Sequence, residues 1–376
     1  MQDSPQPSVP SIIRSRQQIA SQTAAISPDG PPRQDRLPIV ADGTTYNMVQ
    51  EAAWLDSTHF AVGRWDGSLC IFAFSDSPTA GPVISKGVNT PAFEGVQMIA
   101  RLAPTVFASS NDGSSICVWT TRTGDWTDVE VLSKLTYDAA WGAANSGDTL
   151  LIDSRLFFVA GHANGFATIW EGDPEASCLR LRSAVDLRNP RPTNPWDLHN
   201  IRGVAALALN DDEPCVAAGS EDGYISIVRV HDGALRSQTV YNPAAQRGIN
   251  SVAALGRNLL VANCSVGRDD KNLWYYEVDA RTSELKLRDS VNLQQDTTLA
   301  QTFNFCTRWS RFKDAPCFFS STEEGLLWMG ILVNQRLAIL GSELVYGHLG
   351  SALAVNPDGK LVVANYNLYE FKIPQR

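Results

Sequence analysis

The stretch Val106-Phe-Ala-Ser-Ser110, Asn111-Asp112-Gly113, Ile116-Cys-Val-Trp119 reads as a β-hairpin: a short apolar run ending in small residues, an acidic glycine turn, then an alternating aromatic strand. Asp-Gly supplies the positive φ that a tight turn needs between two apolar runs. The same pattern recurs along the chain. Clear copies are Phe60-Ala-Val-Gly63 turning through Arg64-Trp65-Asp66-Gly67-Ser68, Phe157-Phe-Val-Ala-Gly161 turning at His162-Ala-Asn-Gly165, and Cys215-Val-Ala-Ala-Gly-Ser220 turning at Glu221-Asp222-Gly223. Three weaker copies turn at Gly267-Arg-Asp-Asp-Lys271, at Glu323-Glu-Gly325, and between Asn365 and Leu368. Taking Gly67, Gly113, Gly165, Gly223, Asp270, Gly325 and Asn367 as turn positions, the spacings are 46, 52, 58, 47, 55 and 42 residues, a blade-sized period.

Before each hairpin lies a further apolar strand, as in Ala52-Ala-Trp54, Ala139-Ala-Trp141-Gly142, Thr307-Arg-Trp309-Ser310 and Ala352-Leu-Ala-Val355. After it comes a polar-flanked one, such as Asp128-Val-Glu-Val-Leu132, Cys178-Leu-Arg-Leu-Arg182 or Glu284-Leu-Lys-Leu287. Four strands per unit follow. No capped amphipathic helix appears beyond residue 46, and no run is long enough to span a bilayer. A four-stranded unit cannot bury its apolar face alone, so the units must stack radially. The expectation is an all-β, seven-bladed β-propeller of four-stranded antiparallel blades with one continuous inter-blade core, over residues 37–376. The blades fall near 46–90, 95–134, 136–187, 201–242, 248–293, 301–344 and 348–373. The last copy shows only three strands, and an open edge invites pairing; Leu37-Pro-Ile-Val-Ala41 is the expected closing strand. Residues 1–36, with six prolines among Ser and Gln, read as a disordered tail without the basic start and apolar core of a signal peptide, which places the chain in the cytoplasm.

The chain resembles the WD-repeat β-propeller family over roughly residues 37–376. Trp119 and Trp170 stand at the strand-three position, Ser110-Asn-Asp112 and Ser220-Glu-Asp222 at the turn before it, and Gly347-His348 ahead of a first strand. Trp119 is followed by Thr120 and Trp170 by Glu171, so the namesake Trp-Asp pair is absent there, and Trp65-Asp66 sits in a hairpin turn instead. The resemblance implies hydrogen-bonded His-Ser-Asp-Trp networks that stiffen blades, and a role as a rigid interaction platform.

Seven cysteines lack Cys-x-x-Cys spacing, and Cys70, Cys117, Cys215, Cys264 and Cys317 fall in apolar strands, where a reduced thiol acts as a small hydrophobe. Neither a disulfide framework nor a zinc site is expected. A net charge of −9 disfavours nucleic acid, which demands a basic footprint. The five histidines, His59, His162, His199, His231 and His348, are dispersed without metal-ligand spacing; His162 reads as a turn residue and His348 as the family's structural histidine.

No catalytic residue, cofactor or metal is therefore assigned, and what remains is binding. Loops joining strand two to strand three, and one unit to the next, converge on the channel mouth. Large residues placed there are Arg64 and Trp65 in one turn, Trp196 and His199 in the Pro-rich insertion, and Arg247 and Arg268 in neighbouring loops. Trp, Tyr and Arg are what interface hot spots are made of. The expected function is a non-catalytic scaffold binding one or more proteins or peptides, as a subunit of a hetero-complex, away from membranes and without direct nucleic-acid contact. The runner-up is an enzyme with an axial metal or cofactor site, like lactonase or quinoprotein propellers.

Overall fold

The computed structural model describes residues 49–64, 67–74, 84–87, 95–111, 113–189, 198–209, 215–231, 234–241, 248–263, 271–293, 304–312, 315–322, 326–344, 352–356, 358–364 and 368–372. They form seven antiparallel sheets in chain order. The first holds β1 (Val49–Trp54), β2 (His59–Arg64), β3 (Ser68–Ala73) and β4 (Ile84–Gly87); the second β5 (Met98–Ala103), β6 (Val106–Ser110), β7 (Ser115–Thr121) and β8 (Val129–Thr136). The third holds β9 (Ala144–Ile152), β10 (Arg155–His162), β11 (Phe166–Gly172) and β12 (Leu179–Asp186). The fourth holds β13 (Ile201–Leu207), β14 (Cys215–Ser220), β15 (Tyr224–His231) and β16 (Ala234–Tyr241). The fifth holds β17 (Ile249–Leu255), β18 (Asn258–Asn263), β19 (Leu273–Val278) and β20 (Leu285–Val291); the sixth β21 (Asn304–Phe312), β22 (Ala315–Thr322), β23 (Leu326–Val333) and β24 (Arg336–Leu344). The seventh has three described strands, β25 (Ala352–Val355), β26 (Lys360–Ala364) and β27 (Leu368–Lys372). The expected closing strand at 37–41 lies outside the described residues. Among the described residues no helix is long and apolar enough to cross a membrane.

The first strands sit innermost and touch in cyclic order: β1 against β5, β5 against β9, β9 against β13, β13 against β17, β17 against β21, β21 against β25, and β25 back against β1. The core explains why. The two faces of β10 are both apolar, with Leu156, Phe158 and Ala160 packed toward the second sheet and Phe157 and Val159 toward the fourth. A strand buried on both sides reads as a continuous apolar run, which is why second strands dominate the sequence pattern. In place of one continuous core, the buried apolar residues divide into seven wedges, one at each junction between neighbouring sheets. The wedge between the seventh and first sheets joins Ala352, Ala354 and Val362 to Val49, Phe60 and Phe72. Each fully buried phenylalanine there contributes about 2–3 kcal/mol from the area it removes from water.

Three of the hairpin glycines have the expected positive φ, 79° at Gly67, 81° at Gly165 and 87° at Gly223, whose N–H donates to the Ser220 carbonyl at 3.1 Å. Gly203 is required for a different reason. A Cβ on it would lie 2.6 Å from the Val252 backbone nitrogen, so β13 and β17 approach too closely for any side chain. One strand assignment is corrected. Ala139-Ala-Trp141 is a 3-10 turn capped by Asp138, and the first strand of its sheet starts later, at Ala144. Of the cysteines read as core, Cys70, Cys215 and Cys317 are buried, Cys117 is half-buried, and Cys264 lies outside the described residues.

Candidate interaction face at the channel mouth

The first strands enclose an axial cavity of about 580 Å³. Its waist is lined by small groups, among them Gly147, Gly203, Ala205 and Ala253. Its mouth is built by a repeated irregularity. β1, β9, β13, β17 and β21 each carry a register shift at their first residues, a bulge that adds one residue to the inner strand. The extra residues Gln50, Asn145, Arg202 and Asn250 all line the cavity. Because both faces of each sheet are filled by the wedges, a residue that the strand register skips at this edge has only the channel to point into.

Between the third and fourth sheets these groups form a directed chain. Arg202 Nε donates to Glu221 Oε1 at 2.7 Å, Asn200 Nδ2 donates to Glu221 Oε2 at 3.0 Å, and Asn145 Nδ2 donates to Asn200 Oδ1 at 2.7 Å. A carboxylate only accepts, so Glu221 fixes the orientation of Asn200, which in turn fixes that of Asn145. The Asn145 carbonyl oxygen is thereby turned away from the chain.

On the same face, outside the channel, lies a column of rings. Tyr137 stacks on Trp141 with centroids 6.1 Å apart, Trp141 stacks on Phe166 at 5.8 Å, and the Arg188 guanidinium covers Phe166 at 5.2 Å. The three rings are half-buried, and Arg188 is exposed. The column is held from below and from the side. Asn164 Nδ2 donates to the Ala140 carbonyl at 2.8 Å, and Asp186 takes the Arg188 Nε–H at 2.9 Å. That hydrogen bond, with the charge behind it, holds the Asp186 carboxyl below the usual carboxylate range.

Under the column sits His162. Contrary to its reading as a turn residue, it ends β10 and is fully buried, edge-on to Tyr137 at 4.6 Å and to Trp141 at 5.9 Å. Its Nδ1 faces the Gly142 carbonyl at 3.4 Å and so carries the proton, leaving Nε2 to accept from the Thr168 hydroxyl at 2.9 Å. Thr168 Oγ1 accepts from Trp170 Nε1–H at 3.2 Å. Burial pushes the imidazole down to about 4, so it is neutral at pH 7.

The networks implied by the family resemblance occur in pieces. Trp119 Nε1 donates to Ser109 Oγ at 2.8 Å, and Ser110 instead reaches the Ala144 carbonyl of the next sheet. His199 Nδ1 lies 3.3 Å from Asp222 Oδ2, and Ser220 Oγ donates to the same fully buried carboxylate. His348 lies outside the described residues.

Of the residues singled out from sequence, Arg64 was expected to be exposed by position and is 4% exposed, with its carbonyl accepting from Gly67 and Val96. His199 stands at the blade 3–4 rim beside Leu198, which is 44% exposed. Trp65, Trp196, Arg247 and Arg268 lie outside the described residues. Sequence reasoning missed Tyr137, Trp141 and Phe166. Their signal was the spacing of two aromatics four apart around an Asp-Ala-Ala cap and before Gly142. Among the described residues no three His, Cys, Asp or Glu side chains are grouped to hold a metal ion.

A ring of seven antiparallel sheets about an axial channel, six of them four-stranded among the described residues, with Trp-Ser and His-Asp bonds inside its blades, has the fold of WD40-repeat β-propellers. No protein-family model and no curated protein matches the sequence. Solved structures do match. U3-55K is 11% identical with a TM-score of 0.62, covering 86% of this chain and 90% of that one. The β-propeller domain of Myceliophteria thermophila Cps50 (Swd1) is 13% identical with a TM-score of 0.59, covering 88% and 97%. A chain of the mitotic checkpoint complex is 12% identical with a TM-score of 0.62, covering 90% and 97%.

Proposed function

We propose that this chain is a non-catalytic protein-interaction subunit, a rigid disc that holds one or more protein partners on the face carrying the channel mouth. The observation that carries the reading is the half-buried column Tyr137, Trp141 and Phe166, capped by Arg188 and placed beside a pre-oriented polar mouth. Rings of this kind desolvate much area while losing few rotors, and here their orientation is already fixed before any partner arrives. The WD40 fold adds support, since one of its neighbours was solved within a multiprotein complex. Trp65, Trp196, His199, Arg247 and Arg268 belong to the same face in this reading. The test is native purification of the tagged full chain followed by cross-linking and mass spectrometry. Stoichiometric partners cross-linked to loops of this face are the expected result. A chain that elutes alone, with no stoichiometric partner, overturns the reading.

A further inference from the structure

The polar chain at the channel mouth and the ring column meet in one quadrant, over the third and fourth sheets. Asn145 follows Trp141 by four residues, so the two lie at most about 14 Å apart, within the span of an extended segment of about four residues. We propose that this quadrant seats an extended, uncharged segment of a partner protein. A peptide group of that segment donates to the Asn145 carbonyl oxygen and accepts from Arg202, while a neighbouring aliphatic or prolyl side chain lies along Trp141 and Phe166. This deepens the interaction-subunit reading and rests on it.

The chemistry of the quadrant selects the occupant. Arg202 lies 2.6 Å from Glu221 and Arg188 pairs with Asp186, so both arginines here already face a carboxylate, and the His199 ring faces a third, Asp222, at 3.3 Å. A phosphate or a nucleic-acid backbone would bring negative charge against these carboxylates, of which Glu221 and Asp222 are buried, and would have to compete with them for the same arginines. A peptide group has no such requirement. It matches one acceptor and one donor that are held in place, and the Asn145, Asn200, Glu221 chain keeps them from collapsing onto each other.

The experiment pans a displayed library of random dodecapeptides against the full chain and then measures fluorescein-labelled winners by anisotropy. Neutral peptides with a Pro, Leu, Ile or Val anchor are expected. Their affinity should fall about tenfold or more in Trp141→Ser and in Asn145→Leu, stay unchanged in Leu151→Ala on the opposite face, and return to within about threefold in Trp141→Phe, which keeps the stack. Thermal melts of each variant separate lost binding from lost fold. The proposal is overturned by winners that are acidic, by a synthetic phosphoserine version or a single-stranded oligonucleotide binding better than the neutral peptide, by binding indifferent to Trp141 and Asn145, or by panning that yields no Trp141-dependent peptide. Natural partners that co-purify equally with Trp141→Ser would remove this seat and leave the interaction-subunit reading standing.

Discussion

Lowering the pH should unlatch the third blade through His162 before it affects most of the molecule. The imidazole is fully buried and accepts the Thr168 hydroxyl at Nε2; protonation there would turn that hydroxyl around, leaving it only the Ala160 carbonyl at 3.5 Å as acceptor. Burial depresses the folded-state value from 6.5 to about 4. The unfolded chain therefore takes up a proton between those values and the folded chain does not, so stability is fully present above about pH 6.5 and is lost as pH falls toward 4. The depression corresponds to about 3 kcal/mol once pH is below 4, and to about 2 kcal/mol at pH 5. Carboxylates also titrate near pH 4, so the quantity to measure is a difference. Urea denaturation of wild type and His162→Gln at pH 7.5, 6 and 5 should show the gap between them shrinking by about 2 kcal/mol over that range, because glutamine keeps hydrogen-bonding capacity but takes no proton. A gap that stays constant from pH 7.5 to 5 refutes the placement of a neutral, buried histidine at this hub.

Two further outcomes test the ring. Trp126, fully buried at a positive φ of 63°, donates from Nε1 to Asp56 Oδ2 at 2.7 Å and so ties the second sheet to the first; burial alone would raise that carboxyl, yet hydrogen bonds from Thr58, His59 and Trp126 outweigh it and hold it at about 2. Trp126→Phe should cost about 2 kcal/mol in urea denaturation, and a double-mutant cycle with Asp56→Ala should show most of that loss to be shared; additive losses would dissolve the latch. The outer side of β27 has no described partner strand, and we expect Leu37-Pro-Ile-Val-Ala41 to pair with it, so deleting residues 1–30 should leave the melting temperature nearly unchanged while deleting 1–42 lowers it by several degrees; equal effects would count against that closure.

Legibility followed burial. The second and third strands of each blade announce themselves in sequence because both their faces are covered, as in Phe157-Phe-Val-Ala-Gly161, and the Asp-Gly or Asn-Gly turn between them is local chemistry. Outer strands such as β8 and β12 are legible only through their polar flanks, since Val131 and Leu181 remain 52% and 41% exposed. The loops joining one blade to the next carry no period at all. Ala139-Ala-Trp141 looks apolar enough for a strand, yet the Asp138 side chain accepts the Ala140 N–H and turns the backbone before pairing can begin. Trp126 escaped for a similar reason: nothing in Gly124-Asp125-Trp126 signals that its ring will fill the wedge between its own sheet and the first. The single core expected from periodicity became seven because each sheet, two faces thick in apolar side chains, separates its neighbours' contacts.

The same geometry explains why polar groups can gather at one end of such a ring without weakening it. A bulge at the start of an inner strand adds a residue that β-pairing does not use, and the flanking wedges leave no room for it on either face of the sheet. Gln50, Asn145, Arg202 and Asn250 therefore reach the mouth as a consequence of where the strand begins, while adjacent residues such as Ile201 and Ile249, each immediately before a bulge residue, carry the packing of the wedges. His162 and Asn145 show the division within one blade. The buried histidine bonds Thr168 inside the sheet, and the asparagine, on the paired strand, turns its carbonyl oxygen outward. Residues that line the mouth and residues that hold the blade are thus neighbours in space but separate in energetic role, so the mouth can change its chemistry while the wedges stay as they are.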